Sequence, residues 1–215
     1  SLLGLGGVRS LLNQLLGEKT FNDLRIPTAV TAVDINTGSE VMISSGYLKD
    51  AVLATIALPG IFPIHTIDGM ALTDGGVLNP VPVSVARILS PGLPVVAVVL
   101  NDPMDKPVRA YTIPVPSIFP RPIADRLARM SLAQSLDIFL RSVDISSRAL
   151  SHYRLELEKP DVIIRPNVHD ISLLDKVVIE NMAQLGEQAV EEVLPQLKRA
   201  VSWRARLSKK IFGEK

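Results

Sequence analysis

The run LPVVAVVLN (residues 93–101) is apolar almost from end to end and lies between stretches of helical spacing. A strand that is apolar throughout is one buried on both faces, as in sheets flanked by helices. Few architectures meet that demand, and they alternate strands with helices along the chain. The other segments repeat the alternation. VRSLLNQLLGEKTF puts Val8, Leu11, Leu12, Leu15 and Leu16 at helical spacing, with Gly17 where a C-cap belongs. RIPTAVTAVDINTG is a β-branched run ending in Asn36, Thr37 and Gly38, and SEVMISSG reads as its hairpin partner. YLKDAVLATIALPG predicts a short helix stopped by Pro59 and Gly60, and IHTIDGMALTDGG a hairpin turning at Asp68-Gly69. Next come a helix over 82–89, the apolar strand, and a proline-rich loop over 101–122. A long helix from 124 to 157, broken once, precedes a strand in PDVIIRPN. The last helix runs from 173 towards 194, where Pro195 kinks or restarts it. The pattern predicts an α/β layered fold with a largely parallel sheet.

Composition limits what such a chain does. Its 215 residues suffice for one large domain or two small ones, and the pattern divides them into a body (1–200) and a basic tail (201–215). The 47% hydrophobic and 21% charged residues are ordinary for a soluble globular protein. Mean hydropathy is +0.28, yet no apolar run is long enough to span a bilayer. SLLGLGGVRS has no charged region ahead of its apolar run, so it does not read as a signal peptide. With no cysteine, disulfides and thiolate metal sites are excluded. A net charge of +1 gives no global footprint for nucleic acid. The expected location is cytoplasmic, peripheral at the inner membrane if the tail binds there.

Within ALTDGGVLNPVPVSVA (71–86), Asp74 ends an apolar run just ahead of Gly75 and Gly76. An Asp-Gly pair is a common turn former, and Asp74 could simply bond nearby amides. Three features argue for more. Asp74 follows a strand, where α/β folds place ligand chemistry. The glycines let backbone approach closely. Asp68-Gly69 has already made the hairpin.

LRIPTAVTAVDINTGSEV, LKDAVLATIALPGIFPI, LTDGGVLNPVPVSVAR and PDVIIRPNVHDISLLD follow one another as in patatin-like phospholipases of the bacterial type. The resemblance runs from Leu11 to Glu187, and its most specific element is Asp74-Gly75-Gly76 with Asn79 and Pro82 behind, ALPGIFP (57–63) ahead. It implies a three-layer α/β/α sandwich and a lipid acyl hydrolase with a serine–aspartate dyad. In that family the aspartate of the motif, here Asp74, activates the serine without a histidine. Gly75 and Gly76 would hold the backbone open beside it, and Asn79 would support the turn. The substrate would be a phospholipid or other acyl-ester lipid, with no metal or organic cofactor.

The serine itself should sit in a G-x-S-x-G elbow. No two glycines of this chain are four residues apart, so the motif does not occur. LGLGGVRS (3–10), with Gly6, Gly7 and Arg9, superficially resembles the family's oxyanion segment, but its context marks it as a loop before a helix. The chain therefore reads as the C-terminal part of a patatin domain, inactive alone. A truncated domain is the simplest account; a split protein with the serine on a partner chain, or a degenerate relative, are the others. The non-enzyme alternative is a catalytically inactive lipid- or protein-binding module.

His65, His152 and His169 fall in a strand, a helix and a loop and read as solvated or locally bonded rather than as a triad. NDPMD (101–105) lacks the ligand density of a calcium loop and reads as a polar strand exit. Met130, Leu136, Phe139, Leu140 and Val143 give the long helix an apolar side, for core packing ahead of an acyl groove. In the tail, Trp203, Leu207 and Ile211 recur every four residues among Arg204, Arg206, Lys209 and Lys210. That is a basic amphipathic helix, suited either to its own domain or to an anionic membrane surface.

Overall fold

The computed structural model describes residues 6–107, 131–169, 171 and 177–202. The architecture is mixed α/β, consistent with the α/β/α layering of patatin-like proteins. Helix α1 (Gly6–Leu16) ends at Gly17, whose φ of +55° is the left-handed turn of a C-cap. Strands β1 (Val30–Asp34) and β2 (Ser39–Ile43) form an antiparallel hairpin, Val30 opposite Ile43. The buried Asp34 carboxylate organises its turn, accepting from the Asn36 N–H at 3.2 Å and the Thr37 hydroxyl at 3.0 Å. Helix α2 (Leu48–Thr55) follows. Strands β3 (His65–Ile67) and β4 (Met70–Asp74) then turn at Asp68 and Gly69, both at positive φ as a tight hairpin requires.

Since β4 also pairs antiparallel with β1, these strands make one sheet in the order β2-β1-β4-β3. Helix α2 covers one face, with Leu48, Ala51 and Ala54 against Ala32, Ile43, Leu72 and Phe21. Small side chains at the contact bring helix and sheet close, and Ala32, Ala54 and Leu72 are fully buried.

The second half is built around two parallel strands. Helix α3 (Val83–Leu89) leads to β5 (Val96–Val98), and helix α4 (Ser131–Glu158) to β6 (Val162–Ile164). Helix α5 (Ile179–Ala200) follows. Strands β5 and β6 pair with Val96 beside Val162. Val95, Ala97 and Val99 pack with Val83 of α3 and Leu155 of α4. Val162 and Ile164 pack with Ala189 of α5. Helices thus lie on both faces of this sheet without closing over it. Ala97 and Val99 are buried, whereas Val98 is 56% and Leu100 61% exposed, so the burial on both faces expected of the run at 93–101 is met on one face only.

Other expectations meet the structure as follows. The larger sheet is antiparallel, because each of its hairpins reverses the chain and β1 meets β4 head to tail; among the described residues only β5 and β6 are parallel. Of the long helix expected over 124–157, the described part, Ser131–Glu158, is continuous; it includes neither glycine nor proline and carries i,i+4 ion pairs, while 124–130 lie outside the described residues. Helix α5 does not restart at Pro195, an exposed residue inside one continuous helix. Gly6, Gly7 and Arg9 belong to α1 rather than to a loop, in a first turn whose N–H groups have no intrahelical acceptor in any case.

Of the apolar stripe on α1, Leu16 packs on the core while Leu11 and Leu15 are exposed. On α4, Leu140 is buried and Phe139 is exposed. Met130, the loop from 108 to 122, and the tail residues Trp203, Arg204, Arg206, Leu207, Lys209, Lys210 and Ile211 lie outside the described residues. Among the described residues no helix is long and apolar enough to cross a membrane.

Candidate functional site

Asp74 is the last residue of β4, opposite Ala32 on β1. Its sheet is antiparallel, so the crevice at the ends of parallel strands does not account for its position. Local bonding does. The Asp74 N–H donates to the Ala57 carbonyl at 3.1 Å, and the Thr73 hydroxyl donates to the same oxygen at 2.6 Å. The Asp-Gly-Gly and ALPGIFP motifs, 17 residues apart at Ala57 and Asp74, therefore meet at one carbonyl.

Beyond Asp74 the chain enters a short 3-10 turn, Gly75–Val77. Asp74 Oδ1 accepts the Gly76 N–H at 2.7 Å, which fixes the carboxylate against its own turn. Among the described residues that amide is its sole hydrogen-bond donor, and Oδ2 accepts none. The carboxyl is half-buried, and this burial pushes its pKa above the ordinary 3.8; the Gly76 bond pulls the other way and loses. A carboxylate raised in this way is a better proton acceptor than a solvated one.

Each glycine has a separate reason. A Cβ on Gly75 would fall on the Thr31 hydroxyl and 2.5 Å from the Thr31 carbonyl oxygen, so glycine alone lets the turn lie on β1. A Cβ on Gly76 would stand 3.0 Å from Asp74 Oδ1, crowding the oxygen that Gly76 holds. The Leu78 and Asn79 amides both donate to the Gly75 carbonyl, at 3.1 and 2.9 Å. Asn79 is 1% exposed, and its side-chain Nδ2 donates to Glu40 Oε1 of β2 at 2.8 Å.

Sequence reasoning assigned nothing to Glu40, Thr31 or Thr73, each of which bears on Asp74 through pairing that only the folded sheet creates. The signal for Glu40 was indirect: an asparagine next to two prolines and an apolar run needs a partner if it is buried.

The other candidates are engaged elsewhere. His65 Nε2 is 3.2 Å from Asp50, His152 is 3.4 Å from Glu156 on α4, and His169 Nδ1 is 3.0 Å from Asp102. The NDPMD segment supplies Asp102 to the buried Arg148 of α4 at 3.3 Å, with Asp144 on its other side at 2.7 Å. Asn101 beside it donates to Ser147 and Ser151. The strand exit is thus a strut. Among the described residues no three His, Asp or Glu side chains gather as a metal site would require. A cavity of about 500 Å3 lies between the second sheet and α5, lined by Val98, Ile164, Pro166 and Val190, with none of the motif residues on its wall.

With both motifs located at one point, the likeness to known proteins can be placed. Residues 1–87 match the patatin-like phospholipase family. That span contains Asp74, Gly75, Gly76, Asn79 and the ALPGIFP segment. An uncharacterized NTE family protein of Mycobacterium tuberculosis is 34% identical over 98 residues, 46% of this chain and 27% of the relative. A second from that organism is 26% identical over 193 residues, 88% of this chain and 32% of the relative. Mycobacterium bovis has a counterpart of each, with the same identity and coverage. The chain spans roughly a quarter to a third of the length of these curated relatives.

Proposed function

We propose that this chain is the C-terminal part of a patatin-like domain and supplies the aspartate of a serine–aspartate acyl hydrolase. The observation that carries the reading is the Asp74 carboxylate: half-buried, raised in pKa, and held, among the described residues, by one backbone amide on Oδ1 with no donor on Oδ2. The family likeness of residues 1–87 supports it.

In the proposed reaction a serine from outside this chain gives its hydroxyl proton to Asp74 while its oxygen attacks the ester carbonyl of a phospholipid or related acyl lipid. Collapse of the tetrahedral intermediate breaks the ester C–O bond, and the departing alkoxide takes the proton back from Asp74. Water, deprotonated by the same carboxylate, then releases the fatty acid from the acyl-serine. Gly75 lets the turn reach β1, Gly76 aims the carboxylate, and Asn79 anchors the turn. No metal or organic cofactor enters the scheme, and the chain by itself is inactive. The basic tail is the proposed peripheral contact with the lipid surface.

The test is Asp74→Asn in the full-length gene product, assayed for fatty-acid release from phospholipid and short-chain esters. Turnover should fall on the order of a hundredfold or more while the circular dichroism spectrum is kept. Unchanged turnover would refute the base. The second reading, a binding module without catalysis, rests on the missing G-x-S-x-G. It prevails if the full-length product has no serine elbow, binds lipid vesicles or a protein, and hydrolyses nothing.

A further inference from the structure

We infer that Glu40 is a positioning residue for the Asp74 carboxylate, acting through the buried side chain of Asn79. The inference rests on the reading of Asp74 as the site's working group. Asn79 is almost wholly enclosed, and among the described residues its Oδ1 accepts no hydrogen bond. Among the described residues the orientation of its carboxamide is therefore set by Nδ2 to Glu40 Oε1 at 2.8 Å.

The consequence passes along short links. The Asn79 backbone N–H donates to the Gly75 carbonyl and closes the turn. Gly75 lies so tightly on Thr31 that the turn cannot move towards β1; it can only lift away. Glu40 prevents the lifting. It stands on β2, alternating with Val41, which packs on the α2 side, and so reaches Asn79 across the opposite face of the sheet. The Gly76 N–H that holds Asp74 Oδ1 is part of this turn. With no acceptor at position 40, a buried amide donor is left unmade, and the turn gains by lifting towards water. The Gly76 amide then leaves the carboxylate it aims.

The amide of Gly76 is itself the reporter, because its NMR shift follows ionisation of the carboxylate it bonds. The measurement is a pH titration of the 15N-labelled full-length product and three variants. Asp74→Asn should abolish the Gly76 titration, which verifies the signal. Glu40→Ala should lose most of its amplitude, while Glu40→Gln, whose amide oxygen still accepts from Asn79, should retain it. A Glu40→Ala titration equal to the wild type overturns the inference, even if that variant is less stable. Loss in Glu40→Gln as well overturns it too, since the relay needs an acceptor and not a charge. Should Glu40→Ala not fold, Glu40→Val carries the same test, because a strand accepts valine readily. In the full-length product Glu40→Ala should lower kcat by about tenfold to a hundredfold with KM little changed. Hydrolysis that survives Asp74→Asn would remove the base assignment and leave the titration to decide the relay.

Discussion

Asp74 is worse off ionised in the folded chain than in the unfolded one, because folding takes water from its carboxylate and returns a single amide bond. The sign of the pH dependence follows. Between the ordinary 3.8 and the raised folded value, the folded chain holds a proton that the unfolded chain has given up. Stability therefore falls as pH rises through that window and stays lower above it. Asp74→Asn removes the penalty and keeps an oxygen for the Gly76 amide. Urea denaturation across about pH 3 to 7 should find the variant more stable near neutrality, with the advantage shrinking as pH falls towards full protonation. An advantage independent of pH, or none at neutrality, would show that burial does not perturb this carboxyl. A site residue that lowers the stability of its own fold is the usual form of the trade between activity and stability.

At the scale of elements, α4 is tied to the second sheet by a charge network as well as by Leu155. Arg148 is 5% exposed and is clasped by Asp144 from its own helix and Asp102 from the exit of β5, and it donates to the Lys106 and Pro107 carbonyls. His169, beyond β6, joins through Asp102. Arg148→Met should destabilise the chain by about 3–5 kcal/mol, since the buried cation between Asp144 and Asp102 is lost. A urea midpoint within experimental error of the wild type would mean that water already reaches both. This network also marks what could be read beforehand. The β3–β4 hairpin was legible because Asp68-Gly69 carries its turn locally, and the existence of β5 because of its apolar run, although Val98 and Leu100 stand exposed where burial on both faces was expected. Strand direction between β1 and β4 was not, since β2, α2 and β3 intervene and either direction satisfies the pattern. The Asp74 motif could be found as contiguous letters, whereas Glu40 lies 39 residues from Asn79 and Asp102 lies 46 from Arg148. Such partners are chosen by register and helix docking, which no local window contains.

For the molecule as a whole, the uneven placement of charge matters more than its total. Net charge is +1, yet residues 203–215 hold five of the 23 basic residues and one of the 22 acidic ones. In the remainder acidic residues outnumber basic ones, so an anionic bilayer repels the body of the molecule and attracts its end. Each basic residue near such a surface contributes about 1 kcal/mol, and Trp203, Leu207, Ile211 and Phe212 add apolar area that the interface can bury. An interfacial hydrolase gains from this polarity, because the same end would meet the lipid at each encounter. Sedimentation with vesicles of phosphatidylglycerol and phosphatidylcholine should therefore carry the chain down, and deletion of 203–215 should abolish most of the bound fraction. Added salt should weaken binding in part, leaving the apolar contribution. Absence of binding, or binding indifferent to the deletion, would return the tail to the role of a terminal segment packed on its own domain.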